Sequence, residues 1–333
     1  MAGYNTIRGL RVKYLSADPA NPEDGQVWYN STTGNLRLDG VALAASWASG
    51  GNLGQARFNI ASASASTQTA GLIFGGTTAD PGGGTESART EEYNGTAWSE
   101  QNDLSSARNA AAGAGTQTAA LIGGGTADPG PASPGQLSED YNGTSWTTNN
   151  TTGVEIRANA GFGTQTAALQ CGNGGPAPTA KTIEYDGTNW SEGGALNTGR
   201  YFNSGAGTQT AGVTFGGAPG PVMATTEEYN GTSWTGVNNM NTARARLSGA
   251  GLQTAALAFG GGPPVPSGVL TETYDGTTWA ATSAMAISQN AAVGLGTNTS
   301  ALCSGGLSVP GSGINTTQEF TGAATQIKNI STS

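Results

Sequence analysis

The sequence has no histidine, two cysteines, and charged residues at only 11% of its 333 positions. Without histidine it lacks the commonest general base near neutral pH and the commonest metal ligand. Thirteen basic residues face 22 acidic ones, for a net charge of −9, and the one basic cluster is Arg8, Arg11 and Lys13. Nucleic-acid binding needs positive charge to displace counterions, so no nucleic-acid partner is expected. No stretch approaches the ~20 apolar residues of a membrane-spanning helix. Met1 to Asp18 lacks the apolar core and small-residue cleavage site of a secretory signal. The expectation is a chain made in the cytoplasm, with no signal peptide and no membrane insertion. Triplets such as Asn94-Gly-Thr and Asn230-Gly-Thr are then turn chemistry rather than glycan acceptors.

Glycine, by contrast, is abundant, 55 of 333 residues, more than double the usual share. It belongs to a repeat. Thr116-Gln-Thr-Ala-Ala-Leu-Ile-Gly-Gly-Gly125 has counterparts at Thr67, Thr164, Thr208, Leu252 and Thr297. Tyr141-Asn-Gly-Thr-Ser-Trp146 has counterparts at Tyr93–Trp98, Tyr185–Trp190, Tyr229–Trp234 and Tyr274–Trp279, and a degenerate one at Phe320-Thr-Gly322. The period of 44 to 49 residues is the range of propeller blades.

Each unit reads as four strands. In the second copy, Ser106–Gly115 is a run of small residues suited to an innermost strand beside a channel. Ala119–Ile122 is an apolar strand ending in a double glycine. After a Pro/Gly-rich loop come Ser138–Tyr141 and, across Asn142-Gly143, Thr144–Thr147 as the outer strand. Asn-Gly is a strong hairpin signal that predicts positive φ at both positions. Five outer strands carry a tryptophan, Trp98, Trp146, Trp190, Trp234 and Trp279; the sixth is predicted to come from Ala44-Ala-Ser-Trp47, which completes the last blade beside Phe320. Such interlocking protects edge strands. In a six-bladed ring Cys171 and Cys303, in the third and sixth repeats, lie too far apart for a disulfide and are read as free, packed thiols.

Small-residue strand with arginine, strand ending in Gly-Gly, tyrosine, then tryptophan: over residues 45–322 this pattern resembles the kelch repeat. The double glycine stands at Gly75-Gly76, Gly124-Gly125, Gly216-Gly217, Gly260-Gly261 and Gly305-Gly306; the third copy departs with Gly172-Asn173, and the Tyr-to-Trp spacing of five is one shorter than usual. The predicted fold is all-β: a six-bladed kelch-like β-propeller of four-stranded blades over 44–322, an N-terminal hairpin arm over 1–43 and a tail over 323–333. Arg57, Arg108, Arg157, Arg200 and Arg244 precede five inner strands, with Gln289 in the sixth; Glu92, Asp140, Glu184, Glu228 and Glu319 precede the aromatic. An arginine-lined anion site is one reading. Regular repetition favours the other, one Arg–carboxylate bond per blade. The tyrosines and tryptophans are read as core between blades, each worth roughly 1.5–3 kcal/mol when buried.

The arm breaks the pattern. Gly25-Gln-Val-Trp-Tyr-Asn30, Ser31-Thr-Thr-Gly34 and Asn35-Leu-Arg-Leu-Asp39 read as strand, turn, strand. A lone hairpin is marginal in water, so the arm is expected to dock, on its own propeller or on another protein, with Trp28, Tyr29, Arg8 and Arg11 as candidate anchor residues. Residues 25–39 resemble N-terminal hairpins of structural proteins of tailed bacteriophages, which implies a virion protein and virion partners for the arm.

The loops between the second and third strands are irregular and lie on one face of the disc, where recognition is usual. Their candidate residues are Asp80, Asp128, Pro129, Pro176, Pro221, Pro264 and Pro310; surface spacers that bind nothing are the plain alternative. No catalytic constellation stands out. Kelch-type copper oxidases need absent histidines, and Asp186-Gly187 and Asp275-Gly276 lack the intervening residue of a sialidase Asp-box. The expectation is a non-enzymatic virion protein, without cofactor or metal, recognising a host-surface glycan or protein. A purely structural capsid decoration or tail component, and a bacterial kelch-like lectin or scaffold, are the alternatives. Oligomerisation is compatible with each.

Overall fold

The computed structural model describes residues 12–20, 26–39, 43–78, 84–126, 134–174, 178–218, 220–262, 267–308, 311–324 and 327–330. They fall into two units, one of Met1–Ala45 with Gly322–Ser333, the other of Ser46–Thr321.

The larger unit holds six four-stranded antiparallel sheets. Blade 1 takes Ala61–Ser62, Gly71–Phe74, Thr90–Tyr93 and Trp98–Gln101. Blade 2 takes Ala112–Thr116, Ala119–Gly123, Ser138–Tyr141 and Trp146–Thr148. Blades 3, 4 and 5 begin at Ala160, Ser204 and Ser248 and end in strands at Trp190–Glu192, Trp234–Val237 and Trp279–Ala281. Blade 6 takes Val293–Gly296, Ser300–Ser304 and Thr317–Thr321, and Ser46–Ser49 is its outer strand, pairing Trp47 with Phe320. First strands of neighbouring blades touch in a closed cycle. The unit is a six-bladed β-propeller, closed as the strand count predicts.

The small inner-strand residues are a steric requirement. A Cβ on Gly113 would lie 2.3 Å from Ser62 O, and one on Gly294 2.7 Å from the Phe259 ring. In the double glycine, Gly124 sits at φ +73° with Ile156 O where a Cβ would be, 2.2 Å away. Core clusters form between blades: Leu72 and Phe74 of blade 1 pack with Ile122 and Tyr141 of blade 2. Cys171 and Cys303 are buried and free, and burial pushes the Cys171 thiol up to about 12.

Polar side chains staple each blade to the one before it. The six tryptophans of the propeller each donate Nε1–H to a hydroxyl on the preceding blade's third strand: Trp98 to Thr317, Trp146 to Thr90, Trp190 to Ser138, Trp234 to Thr182, Trp279 to Thr226 and Trp47 to Thr271. The Gln of each Gln-Thr turn donates to two carbonyls of the preceding blade, as Gln117 does to Gly71 O at 3.2 Å and Tyr93 O at 2.9 Å. Gln68, Gln165, Gln209 and Gln253 repeat this.

Three sequence expectations change. At the Asn-Gly turns only the glycine has positive φ. The loop has four residues between Tyr141 and Trp146, and Asn142 Oδ1 accepts the Thr144 and Ser145 amides. The carboxylate partnering the arginine stands two residues before the tyrosine, not one. The pairs are Arg57–Glu91, Arg108–Glu139, Arg200–Glu227 and Arg244–Glu272, all with buried side chains. The acid directly before the aromatic instead accepts a tyrosine hydroxyl from the next blade: Tyr93 to Glu319, Tyr141 to Glu92, Tyr229 to Glu184 and Tyr274 to Glu228. Alternate strand residues face opposite ways, so one acid holds the arginine at the entry of its own blade and its neighbour the tyrosine of the next blade. Finally, Arg157 is outside the arginine row. Ile156, four residues before its inner strand, is the register equivalent of Arg108; it and Ile183, at the glutamate position, are buried.

In the smaller unit, Lys13–Leu15 runs parallel to Val27–Asn30, which pairs antiparallel with Asn35–Asp39; Ile327–Ile330 adds the fourth strand. The hairpin is thus not alone, and residues 327–330, within the stretch set apart as a tail, belong to its sheet. Asp18 accepts from Trp28 Nε1, Asn30 Nδ2 and Arg37 Nη1 at 2.8–2.9 Å, and these donors hold its carboxyl below the usual range. No helix of the described residues is long and apolar enough to cross a membrane.

Candidate functional site

The propeller's two faces differ. On one, the uniform Gln-Thr and Asn/Asp-Gly turns lie side by side, Gly143 against Thr118 for example. The other carries the irregular loops and the entries of the inner strands. Two residues before each inner strand the chain takes a left-handed conformation at a non-glycine residue: Asn59, Ala110, Ala158, Phe202, Arg246 and Ala291, with φ from +51° to +55°. Their backbones form a closed ring. Asn59 N donates to Ala291 O, Ala110 to Asn59, Ala158 to Ala110, Phe202 to Ala158, Arg246 to Phe202 and Ala291 to Arg246, at 2.6–3.0 Å. This ring frames the channel mouth on the loop face, where a cavity of about 90 Å³ opens.

Asparagine is tolerated in that conformation; any other residue with a Cβ is disfavoured there, and a bulky side chain is an outlier. Such strain persists where surrounding structure imposes it, and it clusters at binding sites. The two bulky members are neighbours and touch, the Arg246 guanidinium carbon standing 4.0 Å from the Phe202 ring centroid. Tyr201 extends the group, its ring 4.9 Å from that of Phe202. Tyr201, Phe202 and Arg246 are all half-buried. Burial pulls the Arg246 guanidinium below its ordinary value, and the Tyr201 phenol opposes this.

Blade 3 carries the patch on. Its second and third strands are eight residues each, and a register shift falls between Cys171 and Asn173. Asn173, standing where other copies have glycine, accepts the Arg157 amide at 3.0 Å and donates to Glu155 O at 3.1 Å. Arg157 Nε donates to Gly174 O at 2.5 Å, and a Cβ on Gly174 would lie 3.3 Å from Tyr201 Cβ. Gly174 thus lies between Arg157 and Tyr201, which places the exposed Arg157 of blade 3 next to the Tyr201–Phe202–Arg246 cluster of blades 4 and 5.

Six of the propeller unit's eight basic residues hold a carboxylate: the four buried arginines, Arg89 with Glu100, and Lys181 with Glu192. The two without an ion pair among the described residues are Arg157 and Arg246. The opposite mouth, on the turn face, has a cavity of about 240 Å³ lined by groups such as Phe162, Ala206 and Leu252; Leu252 is 55% exposed. Among the described residues, no three His, Cys, Asp or Glu side chains gather as a metal would require.

Of the loop residues singled out from sequence, Pro221 is exposed on its loop. Asp80, Asp128, Pro129, Pro176, Pro264 and Pro310 lie outside the described residues, as do the anchor residues Arg8 and Arg11. Trp28 is wholly buried and bonded to Asp18, so it belongs to the core of the terminal sheet rather than to a contact surface. Tyr29 is half-buried, and Tyr14 beside it, 4.7 Å between rings, is 76% exposed. Tyr201, Phe202 and Arg246 escaped the sequence reading. Phe202 and Arg246 stand in one column of the repeat, two residues before the inner strand, where the other copies have Asn59, Ala110, Ala158 and Ala291; the residues on either side vary as well.

No protein-family model matches the sequence, and no curated protein matches it. Among solved structures 270 chains match, so the architecture is widely shared. One, described as "Structure of YjhT", aligns with a TM-score of 0.63 over 83% of this chain and 99% of its own, at 12% identity. That is a likeness of fold alone.

Proposed function

We propose that this chain is a non-catalytic, kelch-type structural protein of a tailed-bacteriophage virion. Its terminal unit attaches to other virion proteins, and its propeller recognises a glycan or protein on the host surface. The observation that carries recognition is the division of polar groups. The repeated ones are consumed inside the scaffold, whereas the loop-face rim of Arg157, Tyr201, Phe202 and Arg246 breaks the repeat and is left for a ligand. The acids fit a non-catalytic role, since Glu91, Glu139, Glu227 and Glu272 hold arginines and Glu92, Glu184, Glu228 and Glu319 hold tyrosines. The virion assignment rests on the resemblance of residues 25–39. Attachment would use Tyr14 and Tyr29 rather than the buried Trp28.

Immunogold microscopy of phage particles with antibody to the full chain tests the virion assignment; label on particles is expected, and label absent from every particle contradicts it. Adsorption of the purified full chain to host cells tests recognition. Signal covering the head with no adsorption to cells would favour the decoration reading instead.

A further inference from the structure

A guanidinium in a partly desolvated rim, with an aromatic face on one side and no carboxylate, lacks counter-charge. The four repeated arginines of the same unit each have a glutamate, so the chain supplies acids where arginine is structural. Arg246 has none, and Arg157, which uses only Nε on Gly174 O, leaves its terminal nitrogens without a partner among the described residues. We propose that the loop-face mouth binds an anionic saccharide: Arg246 and Arg157 take its acidic groups, and Phe202 and Tyr201 pack against a sugar ring. This rests on the recognition reading and names its ligand class.

Three features support that class. Arginine's planar fork suits bidentate contact with carboxylate or sulfate oxygens. Half-buried aromatic rings offer apolar faces at little entropic loss. The protein's net charge is −9, so an anionic polymer is repelled by most of the surface and drawn to the propeller-unit rim whose two arginines have no ion pair among the described residues. Phe202 and Arg246 also hold the left-handed conformation that asparagine, as at Asn59, adopts more readily. Bulky side chains kept at such positions are consistent with a binding role.

Isothermal titration of the full chain with trigalacturonate, a dextran sulfate oligomer and maltotriose separates carboxylate, sulfate and neutral saccharides. At least one anionic probe is expected to bind, about tenfold or more tighter than maltotriose. Arg246→Gln and Arg157→Gln should each weaken it by about tenfold or more, with unchanged thermal midpoints. Raising the salt concentration should weaken it further. Failure of both anionic probes, equal affinity for maltotriose, or unchanged binding by both variants overturns the proposal. Cell adsorption separates it from the broader reading. If both variants adsorb to host cells as well as the parent chain does, recognition stands and this site falls. If the parent chain does not adsorb while trigalacturonate binding needs both arginines, recognition of the host falls and the site stands.

Discussion

In blade 6 the side chains of Gln289 and Gln318 meet through a hydrogen bond of 2.5 Å, where four other blades hold an arginine–glutamate pair. Gln289 also donates to Gly305 O and Thr316 O, as Arg244 does to Gly260 O and Leu270 O. Gln318 Oε1 accepts the Ala286 and Ile287 amides, as Glu272 accepts that of Asn241. Blade 3 fills the same two positions with buried Ile156 and Ile183. One fold therefore carries an ion pair, an amide pair and an apolar pair at equivalent sites.

That interchange predicts how the ion pairs respond to substitution. Glu139→Ala leaves Arg108 buried without its counter-charge and should cost about 3–5 kcal/mol. Arg108→Ile combined with Glu139→Ile, copying blade 3, should recover most of that loss. Guanidinium unfolding midpoints of the three variants check this; a double variant as unstable as Glu139→Ala contradicts it.

The Gln staple is missing where blade 6 meets blade 5. Asn298 occupies the turn position of Gln117 and, among the described residues, makes no bond like those of Gln117. Asn298→Gln should reach the carbonyls of blade 5 and raise stability by about 1 kcal/mol, the net value of a typical hydrogen bond. A thermal midpoint unchanged or lowered would refute the staple.

Strain at the rim gives an opposite sign from ordinary core substitutions. Phe202→Asn and Arg246→Asn place at φ +54° and +55° the residue that Asn59 already supplies at +52°. Left-handed backbone costs roughly 1–2 kcal/mol for most residues, so each change should leave thermal stability equal or higher while ligand binding falls. Destabilisation by about 1 kcal/mol or more would mean these side chains are kept for the scaffold.

Alkali should unfold the propeller through its tyrosines. Burial, aided by the neighbouring carboxylates, pushes Tyr93, Tyr141, Tyr185 and Tyr229 up to about 12 and also raises Tyr274. The unfolded chain releases these protons near 10, so above that pH the folded state binds more protons. Stability therefore falls as pH rises from about 10 through about 12. Unfolding midpoints that stay flat across that window would contradict it.

The blades were legible because repetition multiplies weak signals: glycine pairs, Tyr-to-Trp spacing and the orphan Trp47 together give six closed blades. Pairing was less legible where adjacent residues compete. Glu91 and Glu92 differ by one position, and strand alternation gives one to Arg57 of its own blade and the other to Tyr141 of the next; Ile156 and Arg157 differ by one, and only register against Ala160 tells which is buried. The Asn-Gly turns look like two-residue hairpins until Asn142 is seen capping two amides ahead of it. The candidate site was hidden because Phe202 and Arg246 lie far apart in sequence and meet only when blades 4 and 5 close the backbone ring.

Hydroxyl-radical footprinting of the full chain, free and bound to host cell-surface polysaccharide, tests the central claim most directly. Tyr201 and Phe202 on the loop-face rim should become protected, while Leu252 at the opposite mouth stays as reactive as before. Protection of Leu252 with Tyr201 and Phe202 unchanged would place recognition on the wrong face and contradict the account.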